Sequence, residues 1–260
     1  MRSSWKTDTG KVRENNEDSI LVDEEKGIFL LADGLGGHRG GEVASNLAVK
    51  EAYGYLRIRL DLIGSAETFR ILAESVAAAH SAVFKKSLED KSLHDMGTTL
   101  EIAVFVKSAV FICHVGDSRV YLLRNGKLEK ITTDDNAATW LMEHEHIPKE
   151  EIPPFARHML TQAVGISKEL VPEFHSPQLR PGDIMMLCTD GLTETLDDGE
   201  IADIILEHGT SIRKATDALV DEANARGGPD NISVILVDPE VAPVLLSHKE
   251  TSDHPFPISS

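Results

Sequence analysis

Asp33 ends the apolar run Leu30-Leu31-Ala32 and is followed by Gly34-Leu35-Gly36-Gly37. A short apolar run of this kind reads as a buried strand. Its carboxylate is therefore delivered onto a backbone with few side chains to shield it. Carboxylate oxygens are the donors that Mg²⁺ and Mn²⁺ prefer, and a glycine carbonyl can add another oxygen where no Cβ blocks the approach. The device recurs. Asp183-Ile184-Met185-Met186-Leu187-Cys188-Thr189 leads into Asp190-Gly191, and Pro229-Asp230-Asn231 sets a third acid at the head of the run Ile232 to Val237. One Asp-Gly alone is a common turn dipeptide. Three acids at strand ends, far apart in the chain, read together as one site assembled by folding and suited to holding a hard metal ion near a phosphate.

Further elements fall around these acids. Arg13-Glu14-Asn15-Asn16-Glu17-Asp18 precedes the first strand, Met96-Gly97-Thr98-Thr99 opens another apolar run, and Gly116-Asp117-Ser118-Arg119 interrupts a strand pair. In this order, from about Thr7 to Asp238, the six elements resemble the PPM (type 2C) family of metal-dependent protein serine/threonine phosphatases in its compact bacterial form. The resemblance implies that Asp33, Asp190 and Asp230 ligate one metal, and that Asp33 and the carbonyl of Gly34 ligate a second. Glu17 and Asp18 match the acidic pair that holds the second ion directly or through its waters. Arg13 matches the arginine that grips the substrate phosphate, and Asp117 with Asp190 matches the place of a third ion in bacterial members. The implied cofactors are two Mn²⁺ or Mg²⁺ ions, with a third allowed. The implied reaction is hydrolysis of phosphoserine and phosphothreonine in proteins by a water or hydroxide bridging the two ions, reversing a bacterial serine/threonine kinase.

The chemistry is coherent in its own terms. Two divalent ions about 4 Å apart can share a water, lower its pKa and aim it at phosphorus. Phosphomonoester hydrolysis then rests mainly on positioning and charge compensation, and an arginine fork suits the phosphate contact better than lysine. One position departs from many eukaryotic members, which carry a His, proposed as general acid, where this chain has Leu35. Leucine cannot donate a proton, so the leaving alkoxide must be protonated by metal-bound water or another side chain, or leave with less assistance. His38 is either a substitute or a plain loop residue, and the loop reading is preferred.

Two other readings compete. Cys113-His114-Val115-Gly116-Asp117-Ser118-Arg119 satisfies Cys-x5-Arg, the phosphate loop of cysteine-dependent phosphatases. That loop needs a helix N-terminus after it to depress the thiol pKa, whereas Val120-Tyr121-Leu122-Leu123 continues here as a strand. A catalytically silent fold that only binds phosphoproteins is the other, and it predicts a lost metal ligand. Asp33, Asp190, Asp230, Asp117 and Arg13 are all present. Glu143-His144-Glu145-His146 alternates metal-ligating types, but i, i+2 residues on a helix face different ways, so it reads as an exposed polar stretch.

Positioning the acids calls for strands in blocks and helices in pairs. Ser19 to Val22 and Gly27 to Ala32 read as a hairpin. Helical patterns follow over about Gly41 to Leu60 and Ala66 to Leu88, with Arg57 and Arg59 on a solvated helix face. Thr98 to Val106, Ala109 to Val115 and Arg119 to Arg124 read as strands, with Asn125-Gly126 turning into Lys127-Leu128-Glu129. Ile184 to Cys188 and Ile232 to Val237 are late strands, with helices over Gly199 to His208 and Ser211 to Arg226 between them. The expected class is α+β, a four-layer αββα sandwich of two central, mostly antiparallel sheets flanked by helix pairs, with the metals at one end. One catalytic domain is expected over 1–240, with a less regular flap over about 133–174. The stretch 241–260, rich in Pro, Ser, His and Thr, reads as a mobile tail.

At 260 residues the chain can bury one substantial core. A formal net charge of -17 argues against nucleic acid or anionic membrane as partner. With no signal peptide and no membrane-length apolar run, a cytoplasmic protein is expected, as a monomer acting on phosphorylated proteins. Cys113 and Cys188 lie in apolar runs and read as buried thiols.

Overall fold

Alternate residues of the apolar runs pack into different cores, and this explains why the central strands are hydrophobic at most positions on both faces. The computed structural model describes residues 1–35, 40–167, 169–209 and 211–240. The chain opens with β1 (Arg2–Asp8), β2 (Ser19–Asp23), β3 (Ile28–Ala32) and β4 (Gly34–Leu35), then α1 (Gly40–Leu56) and α2 (Thr68–Glu89). Next come β5 (Gly97–Thr98), β6 (Leu100–Val106), β7 (Ala109–Val115), β8 (Arg119–Arg124) and β9 (Lys127–Lys130), followed by α3 (Ala137–His144) and β10 (Glu173–His175). The last elements are β11 (Ile184–Cys188), α4 (Asp190–Thr193), α5 (Asp198–Glu207), α6 (Ile212–Ala225) and β12 (Ile232–Asp238).

One sheet runs β1-β12-β11-β8-β9 and the other β10-β7-β6-β3-β2, with β4 and β5 paired separately. Neighbouring strands are antiparallel throughout. The inner faces meet in a core built by Phe29, Leu31, Ala103 and Ile112 from one sheet and Val120, Leu122, Met185, Leu187, Ile235 and Val237 from the other. Residues one step along face outward. Ile28, Leu30, Leu100 and Ile102 pack under α1 and α2, while Met186, Cys188, Ile232, Val234 and Leu236 pack under α5 and α6. In α1 the buried face is Ala44, Ala48 and Ala52, small residues at helical spacing that let α2 approach closely. The four layers are therefore α, β, β, α, as expected.

Departures have local causes. The strand expected over Thr98 to Val106 breaks at Thr99, whose N–H donates to the carbonyl of Asp33 while that of Thr98 donates to Val164. The first helix ends at Leu56 rather than near Leu60, because the Arg59 N–H donates to Leu56 in a tighter turn. Arg57 and Arg59 thus lie beyond the helix, and the Arg59 guanidinium sits 3.7 Å from the Tyr55 ring centroid. β1 pairs along its full length with β12; its Arg-Ser-Ser-Trp-Lys-Thr-Asp sequence carries no apolar alternation that would have marked it. The segment expected as a flap contains α3, capped by the Asn136 side chain accepting from the Thr139 N–H at 2.9 Å. Glu143 to His146 are exposed. His38 and the stretch 241–260 lie outside the described residues. No helix among those described is long and apolar enough to cross a membrane.

Candidate metal centre

Four strand ends and one N-terminal segment bring the acids together. Asp33 leaves the end of β3, and two threonines of the β5–β6 junction hold its backbone. Its N–H donates to Thr99 Oγ1 at 2.8 Å and its carbonyl accepts from Thr98 Oγ1 at 2.7 Å. Asp190 follows Thr189 at the end of β11 and opens α4. Asp230 precedes β12, and its Oδ1 accepts from the Asn231 N–H at 2.7 Å. Asp117 sits in the turn between β7 and β8, where Ser118 Oγ meets Thr99 Oγ1 at 2.8 Å.

Asn231 ties the N-terminal segment to this end of the sandwich. Its Oδ1 accepts from the Glu17 N–H at 2.8 Å, and its Nδ2 donates to the carbonyls of Thr9 and Asn15, both at 2.9 Å. Ser45 Oγ of α1 donates to the Glu17 carbonyl at 2.6 Å. Backbones crowd here. A Cβ on Gly34 would stand 2.2 Å from the Gly41 carbonyl oxygen, and one on Gly41 would stand 2.1 Å from Glu17 Oε2. Glycine is therefore required on both sides of the contact, and Gly34 keeps the backbone beside Asp33 unobstructed by any side chain of its own.

The acids press on one another. Burial pushes Asp18 up to about 7 against the hydroxyls of Ser233 and Thr189, and the charges of Asp190 and Asp230 push the same way. Burial also lifts Asp33 well above the carboxylate range, helped by Asp18, Asp190, Asp117 and Asp230. Asp117 rises to about 8 through burial, then Asp190 and Asp134; Asp190 rises to about 6 through burial, then Glu194 and Asp230. Thr189 Oγ1 donates to Asp18 Oδ2 at 3.0 Å, but the buried Asp18 Oδ1 has no hydrogen-bond partner. Oxygen-only donors, surplus negative charge and an orphaned carboxylate oxygen fit divalent cations of the Mg²⁺ or Mn²⁺ kind.

Arg13 stands at the exposed rim with Nη2 2.6 Å from Asp230 Oδ2. Burial works against its charge, yet the hydrogen bond and charge of Asp230 raise its pKa. Together with Glu14, Asn15, Glu17 and Asn231 it lines a recess of about 210 Å³. A larger cavity of about 580 Å³ opens on the other side, where Asp117, Asp190 and Glu194 face Lys149, Arg157 and His158 of the flap.

All the expected residues thus gather at one end of the sandwich. Sequence reasoning missed His158 and Glu194, whose Nδ1 and Oε1 lie 3.1 Å apart and which, with Asp190, bring ligand atoms within 4.8 Å of one another. Glu194 lies four residues after Asp190 on the same helical turn, a spacing that could have marked it; His158 lies in the flap with no such cue. The positioning roles of Thr99, Thr189 and Asn231 were also unread. Cys113, by contrast, is fully buried in β7 with its thiol pKa pushed up by burial, and Arg119 pairs with Asp134 at 2.7 Å. Neither group is free to cradle a phosphate.

A profile of the protein phosphatase 2C family matches residues 10–226. The serine/threonine phosphatase stp of Listeria monocytogenes is 34% identical over 242 residues, covering 92% of this chain and 96% of that protein. Among solved structures, the Mycobacterium tuberculosis serine/threonine phosphatase PstP/Ppp superposes with a TM-score of 0.80 at 33% identity, over 90% of this chain and 97% of the other. The catalytic domain of PstP in complex with 2 manganese ions gives a TM-score of 0.78 at 33% identity, over 90% and 96% of the two chains.

Proposed function

This chain belongs to the protein phosphatase 2C family, and from that membership we propose that it is a metal-dependent phosphatase hydrolysing phosphoserine and phosphothreonine in proteins. The observation that carries the reading is the convergence of Asp18, Asp33, Asp117 and Asp190, all with carboxyl pKa values raised chiefly by burial, with Asp230 and its exposed partner Arg13, from separate segments of the chain.

The residues divide the work. Asp33, Asp190 and Asp230 would hold one divalent ion, and Asp33 with the Gly34 carbonyl, supported by Glu17 and Asp18, a second. Asp117 with Asp190 offers a place for a third. When bound, such ions supply Lewis-acid charge compensation and lower the pKa of a shared water. Arg13 stands where its fork could bind the phosphate over the acids, because it is exposed at the rim and pairs there with Asp230. Asn231 and Thr99 hold Glu17 and Asp33 by their backbone N–H groups, which fixes where the two carboxylates stand. The cytoplasm is the proposed location, and the proposed role is to reverse a serine/threonine kinase, as a monomer. A net charge of -17 disfavours nucleic acid and anionic membrane as partners.

The test is hydrolysis of a phosphothreonine peptide by metal-stripped protein resupplied with Mn²⁺ or Mg²⁺, alongside Asp190→Ala. Turnover should return with metal and be absent in the variant. Metal-independent turnover would overturn the reading, as would peptide binding without hydrolysis in the presence of metal.

A further inference from the structure

Between the sheets, at the metal end, an ionisable pair interrupts an otherwise apolar core. Glu101 of β6 and His114 of β7 are cross-strand partners, both completely buried, with His114 Nδ1 2.6 Å from Glu101 Oε1. The next inward residues along the two strands are Ala103 and Ile112. Apolar side chains would pack equally well at positions 101 and 114 and would spare the desolvation of two charges. What they could not do is donate a hydrogen bond from the other side of the ring. His114 Nε2 meets the carbonyl of Thr133 at 2.8 Å, and a carbonyl only accepts, so Nε2 carries a proton. Burial opposes the imidazolium, but the charge of Glu101 outweighs it and raises His114 to about 9.

Thr133 is where the flap begins, and the flap's two ends close on one another there. The Thr133 N–H donates to Glu173 Oε2 at 2.8 Å, and the Thr161 N–H donates to the Asp135 carbonyl at 2.8 Å. Asp135 Oδ2 accepts from Gln162 Nε2 at 2.8 Å and from the Gly116 N–H at 2.9 Å, while the Asp135 N–H returns a bond to the Gly116 carbonyl at 2.7 Å. Gly116 has φ +114°, and a Cβ there would stand 2.5 Å from Thr99 Cγ2. The residue that precedes Asp117 is thus locked to the start of the flap on one side and to the threonine that orients Asp33 on the other.

We propose that Glu101 and His114 are positioning residues that anchor the closed base of the flap to β7, and so set where the flap stands over the Asp117 side of the site. This rests on the phosphatase reading for its consequence in turnover, but not for its consequence in flap mobility. The Glu101→Leu/His114→Leu double variant removes both charges together and leaves the Thr133 carbonyl without its donor. Glu101→Gln keeps a partner for Nδ1, and hence the Nε2 bond, and serves as the conservative control.

Two readouts decide. Hydrogen exchange over residues 135–162 should quicken at least about tenfold in the double variant with β6 and β7 unchanged, because local opening is governed by the lost contacts. The kcat/KM for a phosphothreonine peptide should fall about tenfold or more while that for p-nitrophenyl phosphate falls less than about threefold, since only the longer substrate reaches the flap. Glu101→Gln should stay near wild type in both. Wild-type exchange and an unchanged substrate ratio in the double variant would overturn the proposal, as would an equal loss in Glu101→Gln. Should the double leucine variant fail to fold, Glu101→Gln/His114→Leu carries the same test without burying a charge. If the wild-type protein itself did not hydrolyse the peptide, the phosphatase reading would fall and the exchange result would still decide the anchor.

Discussion

Removing metal should make the protein less stable as pH rises from about 5 to 8, the reverse of what its surface acids would do. A carboxyl whose folded pKa is raised binds more protons folded than unfolded, so the free energy of unfolding falls with pH between the unfolded and folded values. The loss begins near pH 4 and is complete above the folded pKa. Asp18 rises from 3.8 to about 7; at about 1.4 kcal/mol per unit, this single group costs roughly 4 kcal/mol at pH 8, about half of it between pH 5 and 7. Asp190, lifted to about 6, adds in the same sense, on the order of 3 kcal/mol in isolation. Mutual repulsion is counted in both values, so the cluster loses less than their sum. Glu101 is raised too and acts in the same direction. Asp134 and Glu173 are lowered and act below this window. Mn²⁺ should restore about 2.7 kcal/mol per site at a hundredfold excess over Kd, and more effectively at pH 8, where it displaces fewer protons. Urea midpoints at pH 5 and 8, with chelator and with Mn²⁺, measure this, and Asp18→Asn should flatten the metal-free dependence. A metal-free midpoint that is flat or rises between pH 5 and 8, or an equal Mn²⁺ shift at both, would refute the acid-cluster argument.

Other expectations are simpler. Arg13→Ala should raise KM for a phosphopeptide about tenfold with a smaller change in kcat, and Arg13→Lys should recover little of it, because the paired hydrogen bonds of the fork are lost; steady-state kinetics decides. Asn231→Ala removes the acceptor for the Glu17 N–H and the donor to Thr9 and Asn15, so the Mn²⁺ concentration for half-maximal activity should rise about 10- to 100-fold. Cys113→Ser should keep its turnover in an initial-rate assay, since the thiol is buried inside the strand; loss of activity in a folded variant would reopen the cysteine reading.

The elements legible in advance were those whose local pattern and tertiary role agree. β3 and β11 are apolar at every step, and β6 and β12 nearly so apart from Glu101, Ser233 and Asp238, because both faces are covered, and α2 shows Ile71, Leu72, Val76, Ala79 and Val83 on one face. β1 was illegible because its place is set by hydrogen bonding to β12 at a sheet edge, with only Ser4 buried. Asp33, Asp117, Asp190 and Asp230 were readable because each sits beside a glycine or asparagine next to such a run. Their supports were not. Asn231 acts across 214 residues on Glu17, and Glu101 with His114 act through a backbone carbonyl of a distant segment, so no periodicity or short motif carries the information.

The supports also explain how so acidic a site survives folding. Four carboxyls with raised pKa values, Asp18, Asp33, Asp117 and Asp190, oppose collapse, and the Arg13–Asp230 pair and the Thr189–Asp18 hydrogen bond offset that only in part before cations bind. What holds them is backbone: Thr98 and Thr99 on Asp33, Asn231 on the 9–17 segment, and Asp135 on Gly116. These bonds engage N–H and C=O groups that must be satisfied in any buried turn, so they do not draw on the acids' own side-chain oxygens. Gly34 and Gly41 complete the arrangement by letting β4 and α1 touch backbone to backbone. Rigidity is thereby placed in the main chain around the acids, while Asp18 Oδ1 is left without a partner. That separation follows if the carboxylates are reserved for ions: a site stabilised through its own side chains would have to break those hydrogen bonds each time a cation entered.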